Sequence, residues 1–166
     1  YHRTALGAGA DDHWASALDR PIEDTKPGDM GAVCSTYGPA GAPRRLAACV
    51  LPDKVSRHNA PCRSEAIFAS LRGAGAQGKK ATMVVCVDSA DHVLGTAVAI
   101  ARCFPIFHER SGKQPPKKAI TLVFTLADGT EIKASKVVKE TVAAIQLASV
   151  LVATPPQEMD TAGFTK

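Results

Sequence analysis

Aromatic side chains are scarce in this chain: one Trp, two Tyr and five Phe make up 5% of 166 residues. A platform on which successive bases of a single strand stack needs more rings, so single-strand binding is not indicated. Charge of one sign is also in short supply. Lys and Arg number 20 against 16 Asp and Glu, a formal net charge of +4. The basic residues are spread out, apart from pairs at Lys79–Lys80 and Lys117–Lys118. Those pairs flank predicted strands and read as solvated strand ends rather than a stripe that reads phosphates, so a nucleic-acid partner is not expected. No apolar run approaches the roughly 20 residues of a membrane span. No basic-then-apolar leader opens the chain at Tyr1, and the absence of an initial Met implies trimming or residues before it.

Chemistry-bearing clusters are lacking as well. Cys34, Cys49, Cys62, Cys86 and Cys103 are an odd count with no CxxC pair. Three of them sit in apolar strand or helix patterns, so reduced, mostly buried thiols of a cytoplasmic protein are expected. The five histidines, His2, His13, His58, His92 and His108, are scattered, and no HExxH occurs. His92 falls in the first turn of a predicted helix and is expected to be solvated. Asp88 and Asp91 are better explained as a cap and a first-turn acid than as metal ligands, and Glu158 and Asp160 as helix-start polarity. No catalytic, cofactor-binding or metal-ligating residue is therefore assigned within the chain.

Two motifs that imitate functional loops are set aside on context. Gly73-Ala74-Gly75-Ala76-Gln77-Gly78 matches GxGxxG, and Gly73 to Lys79 matches most of a P-loop, with Lys80 where Ser or Thr would hold magnesium. A phosphate turn must leave a strand and open a helix. Here a helix is expected to end near Arg72 and a strand to begin near Thr82, so the glycines read as a helix C-cap and a connector. Cys62 with His58 and Asn59 invites a thiol-protease reading, since a helix N-terminus favours thiolate. His58 and Asn59 are sequence neighbours of the cysteine, however, whereas triad partners converge from distant segments. A strand-to-helix turn, with Asn59 capping and Pro61 in the first turn, is the simpler account.

What the sequence does have is alternation of strands and helices. A short helix is expected over Asp11–Leu18, with Trp14 and Leu18 on one face. Ala32–Tyr37 and Arg45–Leu51 read as strands about the Gly38-Pro39-Ala40-Gly41 turn. Asn59 can cap a helix whose interior is Glu65–Leu71, with Ile67, Phe68 and Leu71 facing inward. The β-branched run Thr82–Val87 suits a central strand covered on both faces. Ser89 or Asp88 caps a helix over Ala90–Phe104, whose inward stripe is Val93, Leu94, Ala97, Val98, Ile100 and Ala101, and Pro105 ends it. His108–Lys118 reads as a polar, basic loop. Ile120–Leu126 is a strand joined through the Asp128–Gly129 turn to Thr130–Ala134. A long helix covers Ser135–Ala153, apolar at Val138, Val142, Ile145, Ala148 and Val152. Pro155 and Pro156 stop it, and Thr161 is placed to cap a further helix whose first anchor is Phe164. This pattern implies an α/β fold with a mixed β-sheet flanked by helices.

Four stretches carry a family resemblance in matching order. They are Leu51-Pro52-Asp53-Lys54-Val55-Ser56-Arg57-His58-Asn59-Ala60-Pro61, then Ala99 to Phe107, then Arg110-Ser111-Gly112, and the junction Leu151 to Thr161 with its Thr154-Pro155-Pro156 and Glu158-Met159. Together they resemble the leucyl aminopeptidase family, in its probable-aminopeptidase-like branch, from about Asp11 to Lys166. The resemblance implies a macro-domain-like N-terminal domain over 1–134, a linker helix over 135–153, and the start of a C-terminal catalytic domain from 154. It further implies a parent enzyme, cytoplasmic and hexameric, that releases N-terminal amino acids from peptides with two divalent metals, zinc or manganese. The metal ligands of the family belong to the catalytic domain, so none is carried onto this chain, which alone is expected to be inactive. Its implied partners are its own catalytic domain, further copies in a homo-oligomer and peptide substrates. At the junction this chain has Ser149, Val150 and Ala153 where the family run has polar residues, which suggests that the helix buries more surface. Two other classes stand beside this reading: a stand-alone macro-like module that binds a nucleotide or ADP-ribose, and an oligomerisation domain. The first rests on fold analogy alone.

Overall fold

The computed structural model describes residues 12–28, 30–38, 45–56, 60–74, 80–106, 119–156 and 158–164. The expected alternation is present. Helix α1 (Asp12–Asp24) is followed by strands β1 (Ala32–Tyr37) and β2 (Arg45–Val50) and helix α2 (Ser64–Ala74). Then come β3 (Lys80–Cys86), a 3-10 turn (Ala90–His92), α3 (Val93–Cys103), β4 (Ala119–Thr125), β5 (Glu131–Ile132), α4 (Lys136–Ala153) and α5 (Thr161–Phe164). The fold is mixed α/β, with the described strands divided into two small sheets, β1–β2 and β3–β4–β5.

β1 and β2 are antiparallel, with Cys34 opposite Ala48 and Ser35 opposite Ala47. Gly31 opens β1 with φ +75°, and a Cβ there would lie 2.9 Å from the Val50 carbonyl. Both conditions select glycine. In the second sheet β4 is central. It pairs parallel to β3, with Val85 opposite Phe124, and antiparallel to β5, with Phe124 opposite Ile132. The Asp128–Gly129 turn forms as its sequence predicts. Gly129 has φ +87°, Leu126 N–H donates to the Thr130 carbonyl at 2.9 Å, and Thr130 N–H donates to Asp128 Oδ1 at 2.9 Å.

Helices α2, α3 and α4 pack on one face of this sheet. One cluster joins Val87, Val93, Ala97, Phe124 and Val138, and a second joins Ile67, Ala99 and Ile100. Val85 and Leu122 touch both, so the core is continuous across the β3–β4 pair. Two serines cap helix starts: Ser89, as expected, and Ser135, which was read as the first residue of the last helix. Ser89 Oγ accepts from Asp91 N–H, and Ser135 Oγ from Val138 N–H, each at 3.3 Å.

Several expectations are corrected. α1 runs six residues past Leu18, through Pro21 to Asp24. α2 extends through Gly73 to Ala74, so Gly73 lies inside the helix rather than capping it. Pro61 stands in a turn before α2, not in its first turn. β3 is not covered on both faces. Thr82, Val84 and Cys86 are exposed while Ala81, Met83 and Val85 are half-buried, and among the described strands β3 lies at the edge. Leu94 of the expected α3 stripe is exposed. In α4 only Val138 is fully buried, and the stripe expected to run inward to Val152 turns to solvent in its second half. At the last helix the capping side chain is Asp160, whose Oδ1 accepts from Gly163 N–H at 2.7 Å. The thiols are free but none is fully buried: Cys49 and Cys86 are exposed, and Cys34, Cys62 and Cys103 half-buried. The Gly38–Gly41 turn beyond Gly38, the Asn59 cap and the His108–Lys118 loop lie outside the described residues, as do the side-chain contacts of Trp14.

Candidate functional site

β3 and β4 end side by side, and α2 and the 3-10 turn into α3 start at that same end of the sheet. A cleft outside the carboxyl ends of parallel strands is where ligands bind in open α/β sheets. Here the cleft is lined by Leu51, Pro61, Cys62, Arg63, Asp88 and His92 among others.

Arg63 organises it. Its backbone has φ +48°, a left-handed conformation that costs a non-glycine residue about 1–2 kcal/mol. Arg63 N–H closes a turn on the Ala60 carbonyl at 2.7 Å, and the Arg63 carbonyl accepts the first bond of α2 from Ile67 N–H at 3.0 Å. The side chain then folds over the preceding loop. Nε donates to the Pro52 carbonyl at 2.5 Å, and Nη1 to the Pro61 carbonyl at 2.9 Å and to Asp88 Oδ2 at 2.6 Å. Nη2 donates to the Asp53 carbonyl at 3.3 Å. A guanidinium has about five N–H donors, and these bonds engage one on Nε, two on Nη1 and one on Nη2. Little donor capacity remains for a ligand. Arg63 is a clamp that ties Pro52, Asp53 and Pro61 to Asp88 at the end of β3. Its side chain is 15% exposed and that of Asp88 64%, so the carbonyl bonds outweigh a solvent-screened ion pair.

Cys62 packs against α3. A Cβ on Gly95 would lie 2.9 Å from Cys62 Sγ, so the thiol occupies the space that this glycine leaves on α3. Its carbonyl accepts from Thr96 Oγ1 at 3.5 Å. His58 and Asn59 lie outside the described residues. His92, expected to be solvated, is half-buried in the same cleft, with Nδ1 fully buried and without a partner among the described residues. Nδ1 of this imidazole makes no hydrogen bond to the thiol or to any other group of the described residues. Burial pushes the Cys86 thiol up, and the Asp88 charge adds to the shift. On β2 the Cys49 thiol, although the residue as a whole is exposed, is pushed up to about 11, first by loss of hydration and second by Cys34. Burial likewise raises Cys103, against the opposing pull of Arg102 and Arg72. None of these three environments favours a nucleophilic thiolate.

The other sequence candidates do not converge. Asp88 is taken by Arg63, and Asp160 caps α5. Gly73 is helical, and α2 precedes β3, the reverse of the order that a phosphate loop requires. Among the described residues no three His, Cys, Asp or Glu side chains are grouped to hold a metal. Arg63 was not singled out from the sequence. Its partners lie 2 to 25 residues away, and the local signal, an Arg directly before a predicted helix, does not show them.

The clamped residues Pro52, Asp53 and Pro61 lie in one of the stretches that carried the family resemblance. Residues 39–113 match the sequence profile of the M17 aminopeptidase N-terminal domain 2. The chain belongs to the leucyl aminopeptidase family and carries an N-terminal domain of that family. Among curated proteins it is similar to probable aminopeptidase NPEPL1 of Homo sapiens and of Pongo abelii, each 32% identical over 120 residues, which is 69% of this chain and 23% of the relative. The Mus musculus protein of that name is 30% identical over 118 residues, 67% of this chain and 22% of its own length. The chain thus spans less than a quarter of the length of these relatives. No solved structure matches. Among the described residues no helix is long and apolar enough to cross a membrane.

Proposed function

We propose that this chain is the non-catalytic N-terminal domain of a cytoplasmic metallo-aminopeptidase, an enzyme that releases N-terminal amino acids from peptides. The observation that carries the reading is the match of residues 39–113 to an aminopeptidase N-terminal domain, in a chain that aligns with only 23% of relatives named as aminopeptidases. The cleft agrees with it. Its one strong donor group is spent on loop carbonyls and Asp88, and its cysteine is packed against Gly95. Catalysis then resides in a domain beyond α5. Two divalent metals, zinc or manganese, would there activate water and polarise the scissile carbonyl. Residues 135–153 are the linker helix in this scheme, and hexamer formation belongs to the parent protein.

The test is the intact mass and C-terminal peptide map of the native gene product. A protein several times longer, continuing past Lys166 into a second domain, is expected. A native product ending at Lys166 would overturn the proposal. Saturable ADP-ribose binding by the chain would then favour a nucleotide-binding module instead.

A further inference from the structure

We infer that the outward face of the second half of α4 is an interface, and that its occupant is the polypeptide following α5 in the longer protein. The inference rests on the N-terminal-domain reading above. From Thr141 to Thr154 the chain has no charged residue. A helix with one face on a core ordinarily carries charges on the other. Instead, Ala143, Leu147 and Leu151 recur at every fourth position, with Ala144, Ala148 and Val152 beside them, and all six are exposed. Leu147 is 60%, Leu151 39% and Val152 88% exposed. Spacings of four place these residues in two adjacent rows on one helix face. The stripe from Ala143 to Val152 is about 14 Å long at the ordinary helical rise. Single exposed apolar side chains need no explanation, but a contiguous apolar stripe marks an interaction surface.

The path of the chain selects the occupant. Exposure is concentrated at the carboxyl end of α4, where the polypeptide turns away. Thr154 N–H and Oγ1 both donate to the Val150 carbonyl, at 3.0 and 2.8 Å. The Pro155 carbonyl accepts from Glu158 N–H at 2.9 Å and Met159 N–H at 3.1 Å, and α5 begins at Thr161. A domain attached after so tight a turn is delivered beside Leu151 and Val152 at high effective concentration, and needs little intrinsic affinity to stay there. More than three quarters of each curated relative lies outside the aligned region, enough for such a domain.

The test uses the double variant L147E/V152E, with L147Q/V152T as a milder second, in the isolated chain and in the native full-length polypeptide. In the isolated chain both variants are expected to melt within about 2 °C of the parent sequence, because exposed side chains contribute little to the domain's own stability. In the full-length polypeptide, limited proteolysis of the 154–160 turn is expected to be slow for the native sequence and at least about tenfold faster for the variants, as the second domain undocks. Unchanged proteolysis in both variants would overturn the inference, as would a native product ending at Lys166. So would a dimer of the isolated chain that both variants abolish, since the face would then belong to a second copy. Aminopeptidase activity is read separately. A full-length protein with a protected turn and no activity would retire the functional reading and leave the interface standing.

Discussion

Arg63 draws the carbonyls of Pro52, Asp53 and Pro61 to one guanidinium and fastens them to Asp88. Replacing it with Gln removes most of these bonds and is expected to cost about 2 kcal/mol in urea denaturation, whereas Asp88→Asn should cost less than about 1 kcal/mol because that carboxylate is largely solvated. Equal losses would mean that the ion pair, not the carbonyl network, holds the loop. Gly95 makes a second residue-scale case. An Ala there gains helix propensity worth about 1 kcal/mol but forces its Cβ against the Cys62 thiol, which overpacks the contact by about 1–3 kcal/mol. Gly95→Ala is expected to destabilise the native sequence and to become neutral or stabilising when combined with Cys62→Ala. Additive losses in that double-mutant cycle would show that the two residues are not in contact. The residues that build this cleft were half legible in advance. The place of Cys62 in the turn between β2 and α2 was expected from the sequence, whereas its packing against Gly95 was not. The clamp was not legible, because its bonds run to backbone carbonyls brought near by the chain's path.

The elements that read most clearly are those whose signals are local. β1 was placed at its observed bounds, and the Asp128–Gly129 turn formed as its residues require. The turn supplies a pH test. Thr130 N–H, with the Thr130 side chain second, holds the Asp128 carboxyl below its ordinary value of 3.8. A depressed carboxylate stabilises the fold fully above its unfolded pKa, and this contribution is lost as pH falls through the folded value. Amide exchange at Leu126 and Thr130 should therefore accelerate in that acidic window, and Asp128→Asn should remove the dependence. An unchanged acid response in the Asn variant would assign it to other groups. Elements fixed by distant contacts read less well. The expected helix ended at Leu18 and missed the continuation of α1 through Pro21 to Asp24, where tertiary packing can carry a helix across a proline. In β3 the β-branched run could not reveal that one sheet face, with Thr82, Val84 and Cys86, is left open. Periodicity in α4 likewise named an apolar stripe without showing that its second half has no partner within the described domain.

At the scale of the whole molecule, the α/β class followed from the order of elements, while the division into two sheets depended on pairings that no local signal reports. Family membership was visible in short ordered motifs and stands on the match over residues 39–113. What the domain presents outward is a filled cleft at one end of its sheet and an uncharged helical face at the end of α4. Both suit a domain that supports chemistry done elsewhere in the polypeptide. The most direct test is the release of N-terminal amino acids from short peptides, measured side by side for the native full-length protein and for this 166-residue chain, each supplied with manganese or zinc and then with a chelator. The account predicts release by the full-length protein that the chelator abolishes, and none by the chain alone under either condition. Release by the isolated chain, or none by the full-length protein with either metal, would contradict it.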